Sequence, residues 1–238
     1  MPSLYYYGFD FTYVVLVLPC MLLALWASAN VNSTFKKYSR QFSSRGITGA
    51  EAAQRVLSAN GVRGVRIESV AGKLTDHYDP KANVIRLSQD VYGSTSTAAI
   101  GVACHEAGHA VQYANSYAPI KLRAAIIPIT NIGSKLAMPL ILLGVVLSFL
   151  GEMSYAFVYL GIACFGFSLV FQLVTLPVEF NASRRALAAI REGDILTKQE
   201  QAGAKKTLRA AAMTYVAATA VAFAQLLRLV LVFARRRD

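Results

Sequence analysis

Two stretches of this chain, residues 11–29 and 155–180, run on without a single Lys or Arg. A helix needs roughly 20 apolar residues to cross a bilayer's hydrocarbon core, and both stretches are that long. Whatever aqueous structure the chain builds must therefore be attached to membrane helices. A third apolar run, 136–150, is short alone but extends back through 126–132 if Lys135 snorkels or faces protein. It is separated from 155–180 by Gly151-Glu152-Met153-Ser154, a tight turn, so the two runs are expected to form a helical hairpin.

Composition and charge agree with that reading. The 238 residues are 55% hydrophobic and 16% charged, which excludes a disordered chain and an ordinary soluble enzyme. Of the 24 Lys and Arg, none falls in 1–35 or 136–178, 13 fall in 36–135 and 11 in 179–238. This alternation follows the positive-inside rule and assigns the basic segments to the cytoplasmic side. The basic cluster Lys36, Lys37 and Arg40 follows the first run and no positive region precedes it, so 11–29 reads as an uncleaved anchor with its N-terminus outside. Trp26 and the tyrosines Tyr5, Tyr6 and Tyr7 flank this run as interfacial aromatics. Because the aromatics sit mainly in apolar segments and are not interleaved with basic ones, no nucleic-acid surface is expected. The net charge of +11 is accounted for by topology and the lipid bilayer.

Cys20, Cys104 and Cys164 are odd in number and have no CxxC spacing, so no disulfide framework follows and Cys104 is expected to be a packing residue.

The polar stretch 36–125 carries clear local signals. Thr48-Gly49-Ala50-Glu51 is a capping box opening a helix on which Ala52, Val56 and Leu57 share a face, and Asn60-Gly61 ends it. Residues 65–70 alternate like a strand, and 76–78 with 83–88 flank a turn containing Pro80, the pattern of a hairpin. Ser94-Thr95-Ser96-Thr97 offers N-caps for a small-residue helix over 98–113. A second capping box, Thr197-Lys198-Gln199-Glu200, opens a long C-terminal helix. Its residues 210–227 are apolar but small, and Gln225 and Arg228 interrupt its end. A helix packed on the domain or lying in the interface is favoured there over a fourth crossing, which would put the arginines at 235–237 outside.

The chemistry lies in His105-Glu106-Ala107-Gly108-His109, which holds two of the three histidines. Positions i and i+4 project from one helix face a turn apart, so both imidazoles can hold one Zn²⁺ while Glu106 reaches the attacking water. Catalytic zinc normally takes three protein ligands. The metzincin continuation is absent, since the chain reads Ala110-Val111-Gln112-Tyr113-Ala114-Asn115. Among downstream acids, Glu152 falls on the far side of the membrane, whereas Glu179 emerges on the same side as His105 and is the best third ligand. The alternative for Glu179 is an interfacial carboxylate paired with Arg184 or Arg185.

The segments Asp76-His77-Tyr78-Asp79-Pro80, Val84-Ile85-Arg86-Leu87-Ser88, 105–112 and Glu179-Phe180-Asn181-Ala182-Ser183-Arg184-Arg185-Ala186 resemble the bacterial neutral zinc metallopeptidases of the YugP type, over nearly the whole chain. The chain is also similar, more distantly, to the HtpX-type membrane gluzincins, which join a HExxH helix to a Glu-x-x-x-Asp motif after a transmembrane hairpin. The resemblance implies an α+β, mostly helical fold: a zincin-like catalytic domain with a small β-hairpin or sheet, anchored by about three transmembrane helices. The expected divisions are an anchor over 1–35, the zincin-like domain over 36–125, the hairpin over 126–180 and a helical part over 181–238 that completes the site. It further implies zinc held by His105, His109 and Glu179, and a peptide or protein substrate. One departure stands out. Ser183 occupies the position of the acidic residue four after the ligand Glu, so Ser183 or Asn181 must orient a zinc histidine.

The expected activity is a membrane-anchored endopeptidase, with Glu106 as general base and Tyr215, with His77 and then Arg209 behind it, stabilising the oxyanion. Residues 84–88 are expected to be the edge strand that pairs with an extended substrate, and membrane proteins are the expected substrates. Two other classes compete. A site-2-type intramembrane protease is disfavoured by Arg86 and Asp90 just upstream of the motif. A catalytically silent metal-binding scaffold is disfavoured by the intact Glu106.

Overall fold

The computed structural model describes residues 5–6 and 9–234. Tyr7 and the arginines at 235–237, named above, lie outside the described residues. In chain order the elements are β1 (Tyr5–Tyr6), β2 (Phe9–Asp10), a π-helical turn (Tyr13–Val17), α1 (Leu18–Tyr38), α2 (Gly49–Ala59), β3 (Arg66–Val70), β4 (His77–Asp79), β5 (Val84–Ser88), α3 (Gln89–Tyr92), α4 (Thr97–Ala114), α5 (Ala118–Val146), a 3₁₀ turn (Leu147–Leu150), α6 (Glu152–Glu192) and α7 (Gln201–Ala234). The fold is mostly helical with a small three-stranded sheet, as expected. Among the described residues four helices are long and apolar enough to cross a membrane, against about three expected, because the helix from Gln201 to Phe233 meets the same measure as the others. The small residues that left this segment ambiguous do not break it. The chain divides into a helical unit (1–26, 122–176, 215–238) and a mixed unit (27–121, 177–214).

In the helical unit, α5 and α6 form the expected hairpin. Gly151 takes a positive φ of 65° at the turn. Three glycines set how closely the two helices approach. A Cβ on Gly144 would meet the Ser154 carbonyl at 2.7 Å, one on Gly161 the Ala137 carbonyl at 2.7 Å, and one on Gly133 the Cys164 carbonyl at 3.0 Å. These contacts are nested about the Gly151 turn, so each glycine keeps the register of an antiparallel pair that close packing holds together. Arg228 is stacked over the Tyr13 ring, 5.2 Å from its centroid, which gives the interrupting charge an aromatic partner.

In the mixed unit both capping boxes form. Thr48 and Glu51 exchange bonds at the start of α2. Thr197 and Glu200 do so ahead of α7, where Glu200 also accepts from the Ser44 amide at 2.7 Å. The β4–β5 hairpin closes through an Asx-type turn, with the Lys81 and Ala82 amides donating to Asp79 Oδ1. The strand order is β3-β5-β4, with β5 parallel to β3 and antiparallel to β4. This corrects the expectation that 84–88 is the edge strand. Both sides of β5 are paired, since β3 occupies the side that the hairpin leaves open, and the free edge next to β5's hairpin partner belongs to β4.

The core of this unit gathers Leu57, Ile85, Leu87, Ile100, Ile190 and Leu196 around α4. Truncating one of these fully buried chains to Ala would cost about 2–5 kcal/mol. Almost every residue of α4 is buried, which its Ala and Gly content allows. Gly101 lies against Ala204 of α7, and Gly108 against Ala182 of α6.

Candidate metal centre

Ser96 caps α4, its side chain accepting from the Ala99 amide, and the helix then carries His105 and His109 one turn apart on the face toward α6. Gly108 lets the helices meet there. A Cβ at that position would lie 2.8 Å from the Ala182 carbonyl, so any other residue would push α6 away. The close approach brings Glu179 over the two imidazoles. Its Oε2 lies 3.2 Å from His105 Nε2 and 3.6 Å from His109 Nε2. The rings stand edge to face, centroids 4.7 Å apart. The ligand atoms of His105, His109 and Glu179 all fall within 4.8 Å of one another, a group positioned for a metal ion.

Glu179 is 2% exposed and turns to the histidines, not to Arg184 or Arg185. Arg185 donates instead to Asn181 Oδ1 at 2.8 Å. Asn181 Oδ1 also accepts from Gln112 Nε2 at 3.0 Å, and the same Nε2 donates to the Val178 carbonyl at 2.8 Å. With both its protons so placed, the Gln112 amide turns Oε1 to His109 Nδ1, 3.0 Å away. The acceptor keeps a proton on His109 Nδ1, so Nε2, the nitrogen that faces Glu179, is the one available to a metal. Ser183 Oγ lies 3.1 Å from His105 Nδ1, where the hydroxyl can accept the ring proton when Nε2 holds a metal. The serine thus stands where an acid was missed. Gln112, fully buried, was not singled out from the sequence, although its position three after His109 puts it on the same face.

Tetrahedral coordination at bonds of 2.0–2.1 Å sets neighbouring ligand atoms about 3.3 Å apart, and the distances of 3.2 and 3.6 Å fit that edge. The two imidazole nitrogens, each with the ring's other nitrogen hydrogen-bonded, and one carboxylate oxygen are a donor set zinc takes. Burial alone would lower the His109 pKa, yet its bond to Glu179 and the charges of Glu106 and Glu179 outweigh that and hold it above the ordinary value.

The remaining sequence candidates are Glu106, His77, Tyr215, Arg209 and Cys104. Glu106 follows His105 on α4 and is buried. His77 is exposed on β4, with Nδ1 2.7 Å from the Thr75 carbonyl, while the next residue, Tyr78, packs on Tyr113 at the end of α4. Tyr215 belongs to the helical unit and Arg209 to the mixed unit, both on α7. Cys104 is wholly buried, and burial pushes its thiol far up, which makes it a packing residue.

Paired histidines on a buried helix, closed by a glutamate from a second helix beside a small sheet, are the arrangement of the zinc-peptidase class. The chain belongs to the family described as "Putative neutral zinc metallopeptidase", which matches residues 13–234. It is 46% identical over 226 residues to "Putative membrane protease YugP" of Bacillus subtilis (strain 168), covering 95% of this chain and 98% of that one. No solved structure matches the chain.

Proposed function

We propose that this chain is a membrane-anchored zinc endopeptidase of gluzincin type, with His105, His109 and Glu179 as the metal ligands. The observation that carries the reading is the convergence of those three ligand atoms, in a chain from a zinc metallopeptidase family. When bound, zinc supplies Lewis acidity to the scissile carbonyl and to a water molecule.

The protein's own groups do the rest. Glu106 takes the proton of the attacking water and passes it to the leaving amine. Its burial beside His105 favours this by keeping bulk water from competing for the carboxylate. Gln112 and Ser183 hold the imidazoles in the tautomer that presents Nε2. Tyr215 donates to the oxyanion, with His77 as second candidate. The outer edge of β4 is where an extended peptide can add to the sheet. The substrates are peptides or proteins, membrane proteins among them, and nucleic acid is not a partner. The protein resides in the bacterial cell membrane with the site facing the cytoplasm, a reading supported by the alternation of basic and apolar segments.

The test is metal analysis of purified protein, with casein and self-cleavage assays, for wild type, Glu106→Gln and Glu179→Ala. Zinc in the wild type and in Glu106→Gln with activity in the wild type alone is the expected outcome. Full metal occupancy in Glu179→Ala would refute the ligand assignment, and activity in Glu106→Gln would refute the base.

A further inference from the structure

A cavity of about 740 Å³ opens in the mixed unit between α6 and α7. Leu187, Leu208 and Met213 line it with apolar surface, and Arg184, Arg191 and Arg209 line it with charge. Ser183 lines it as well, and Ser183 Oγ touches His105 Nδ1, so the cavity begins one side chain from the metal group. A neighbouring depression shares Arg209 and Met213 and adds Lys37 and Lys206. Neither hollow has an acidic residue in its lining.

The arginines are exposed, and exposed arginines on a helix commonly mean only a solvated face. Two features set these apart. Among the described residues Arg184 and Arg209 form no ion pair or hydrogen bond, and Arg191 reaches only its exposed chain neighbour Glu192. They also come from two helices to surround one apolar hollow. The helix dipole favours a cation at Arg191, in the last turn of α6, but not at Arg209 in the body of α7. A guanidinium with free donors beside apolar surface matches a ligand that brings a carboxylate with an apolar group.

We propose that this cavity is a specificity pocket of the peptidase, selecting apolar peptide segments that carry Asp or Glu close to the cleaved bond. The proposal rests on the peptidase reading and adds to it the class of substrate. A large apolar side chain fills the hollow. An extended peptide advances about 3.3 Å per residue, so carboxylates one or two positions away fall within reach of Arg184 and Arg209. The same charges repel Lys- and Arg-rich segments.

The experiment uses the full-length, zinc-loaded protein in neutral detergent. A peptide with Asp and Glu flanking a Leu or Phe is compared with its Asn/Gln isostere, both by kcat/KM and by fluorescence anisotropy on Glu106→Gln, which reads binding without turnover. The expected ratio of acidic over neutral peptide is about tenfold in both measurements, shrinking in 0.5 M salt. It should fall to about one in Arg184→Gln/Arg209→Gln. In Arg184→Glu/Arg209→Glu it should invert toward a Lys-flanked peptide, an outcome that misfolding cannot imitate. Equal handling of the acidic and neutral peptides by wild type would overturn the proposal, as would an unchanged ratio in the double variants. So would loss of copurified phosphatidylglycerol from the double variant, by native mass spectrometry, without any peptide discrimination; the pocket would then be an anionic-lipid site. Selective peptide binding with no cleavage of any peptide would sink the peptidase reading and leave the pocket's selectivity established.

Discussion

Gln112 Oε1 accepts from His109 Nδ1 at 3.0 Å, and the donors on the other side of the same amide are spent on the Val178 carbonyl and Asn181. The side chain is therefore oriented by α6, the helix that supplies Glu179, and it in turn orients a histidine of α4. Gln112→Leu removes the acceptor and takes the second donor from the Val178 carbonyl, which keeps its helical bond. It is expected to weaken zinc binding about 10- to 100-fold in chelator competition and to alter the Co²⁺ absorption spectrum. Gln112→Glu keeps the acceptor and should bind metal more tightly than the Leu variant. Wild-type affinity in Gln112→Leu would show that packing alone holds His109.

Gly108→Ala tests whether the approach of α4 to α6 makes the site. The added Cβ lies 2.8 Å from the Ala182 carbonyl, and Glu179 sits three residues before Ala182 on that helix. The helices must part by several tenths of an ångström, at a strain of about 1–3 kcal/mol, and the separation opens the metal group. Both lower thermal stability and weaker zinc binding are expected. Gly101→Ala is the control. Its Cβ would meet Ala204 of α7 at 3.3 Å, where no ligand is carried, so stability should fall slightly with metal affinity unchanged.

These two residues also mark the limit of what the sequence discloses. His105 and His109, the capping boxes at Thr48 and Thr197 and the hairpin around Pro80 all act over a few residues, and each was readable from spacing. Gln112 has partners 66 and 69 residues away, and a glutamine inside an apolar helix looks like any other until those partners are known. Gly108 reads as a weak helix residue, and its reason is the carbonyl of Ala182. The central place of β5 was missed because a hairpin signal names one neighbour, whereas the parallel partner β3 is brought in by the fold as a whole. Ser183 could be anticipated, since one polar residue had to stand where the orienting acid was missing.

Substitution separates Tyr215 from His77 as oxyanion donor. Loss of a single donor of this kind lowers kcat about 10²- to 10³-fold. Tyr215→Phe should show such a loss with KM and zinc content close to wild type, because the phenol hydroxyl acts in the transition state and not on the metal. His77→Ala should leave kcat within about threefold, as its Nδ1 is already engaged with the Thr75 carbonyl. A large loss in His77→Ala with none in Tyr215→Phe would transfer the role to β4.

Arg86 Nη1 donates to Asp79 Oδ2 at 2.9 Å across the β4–β5 pair, and this bond, with the Ala82 and Lys81 amides, holds the Asp79 carboxyl down from 3.8 to about 2. A carboxyl depressed in the folded state stabilises the fold at pH values above its unfolded pKa, and the contribution disappears as pH falls through the folded value. Asp79→Asn should therefore lower the Tm of the chelator-treated protein at pH 6. The gap between wild type and variant should close as the pH is taken from about 4 to about 2. Using metal-free protein throughout keeps protonation of the zinc ligands out of the comparison. A gap that stays constant across that interval would mean that Asp79 supports the turn through its shape and not its charge.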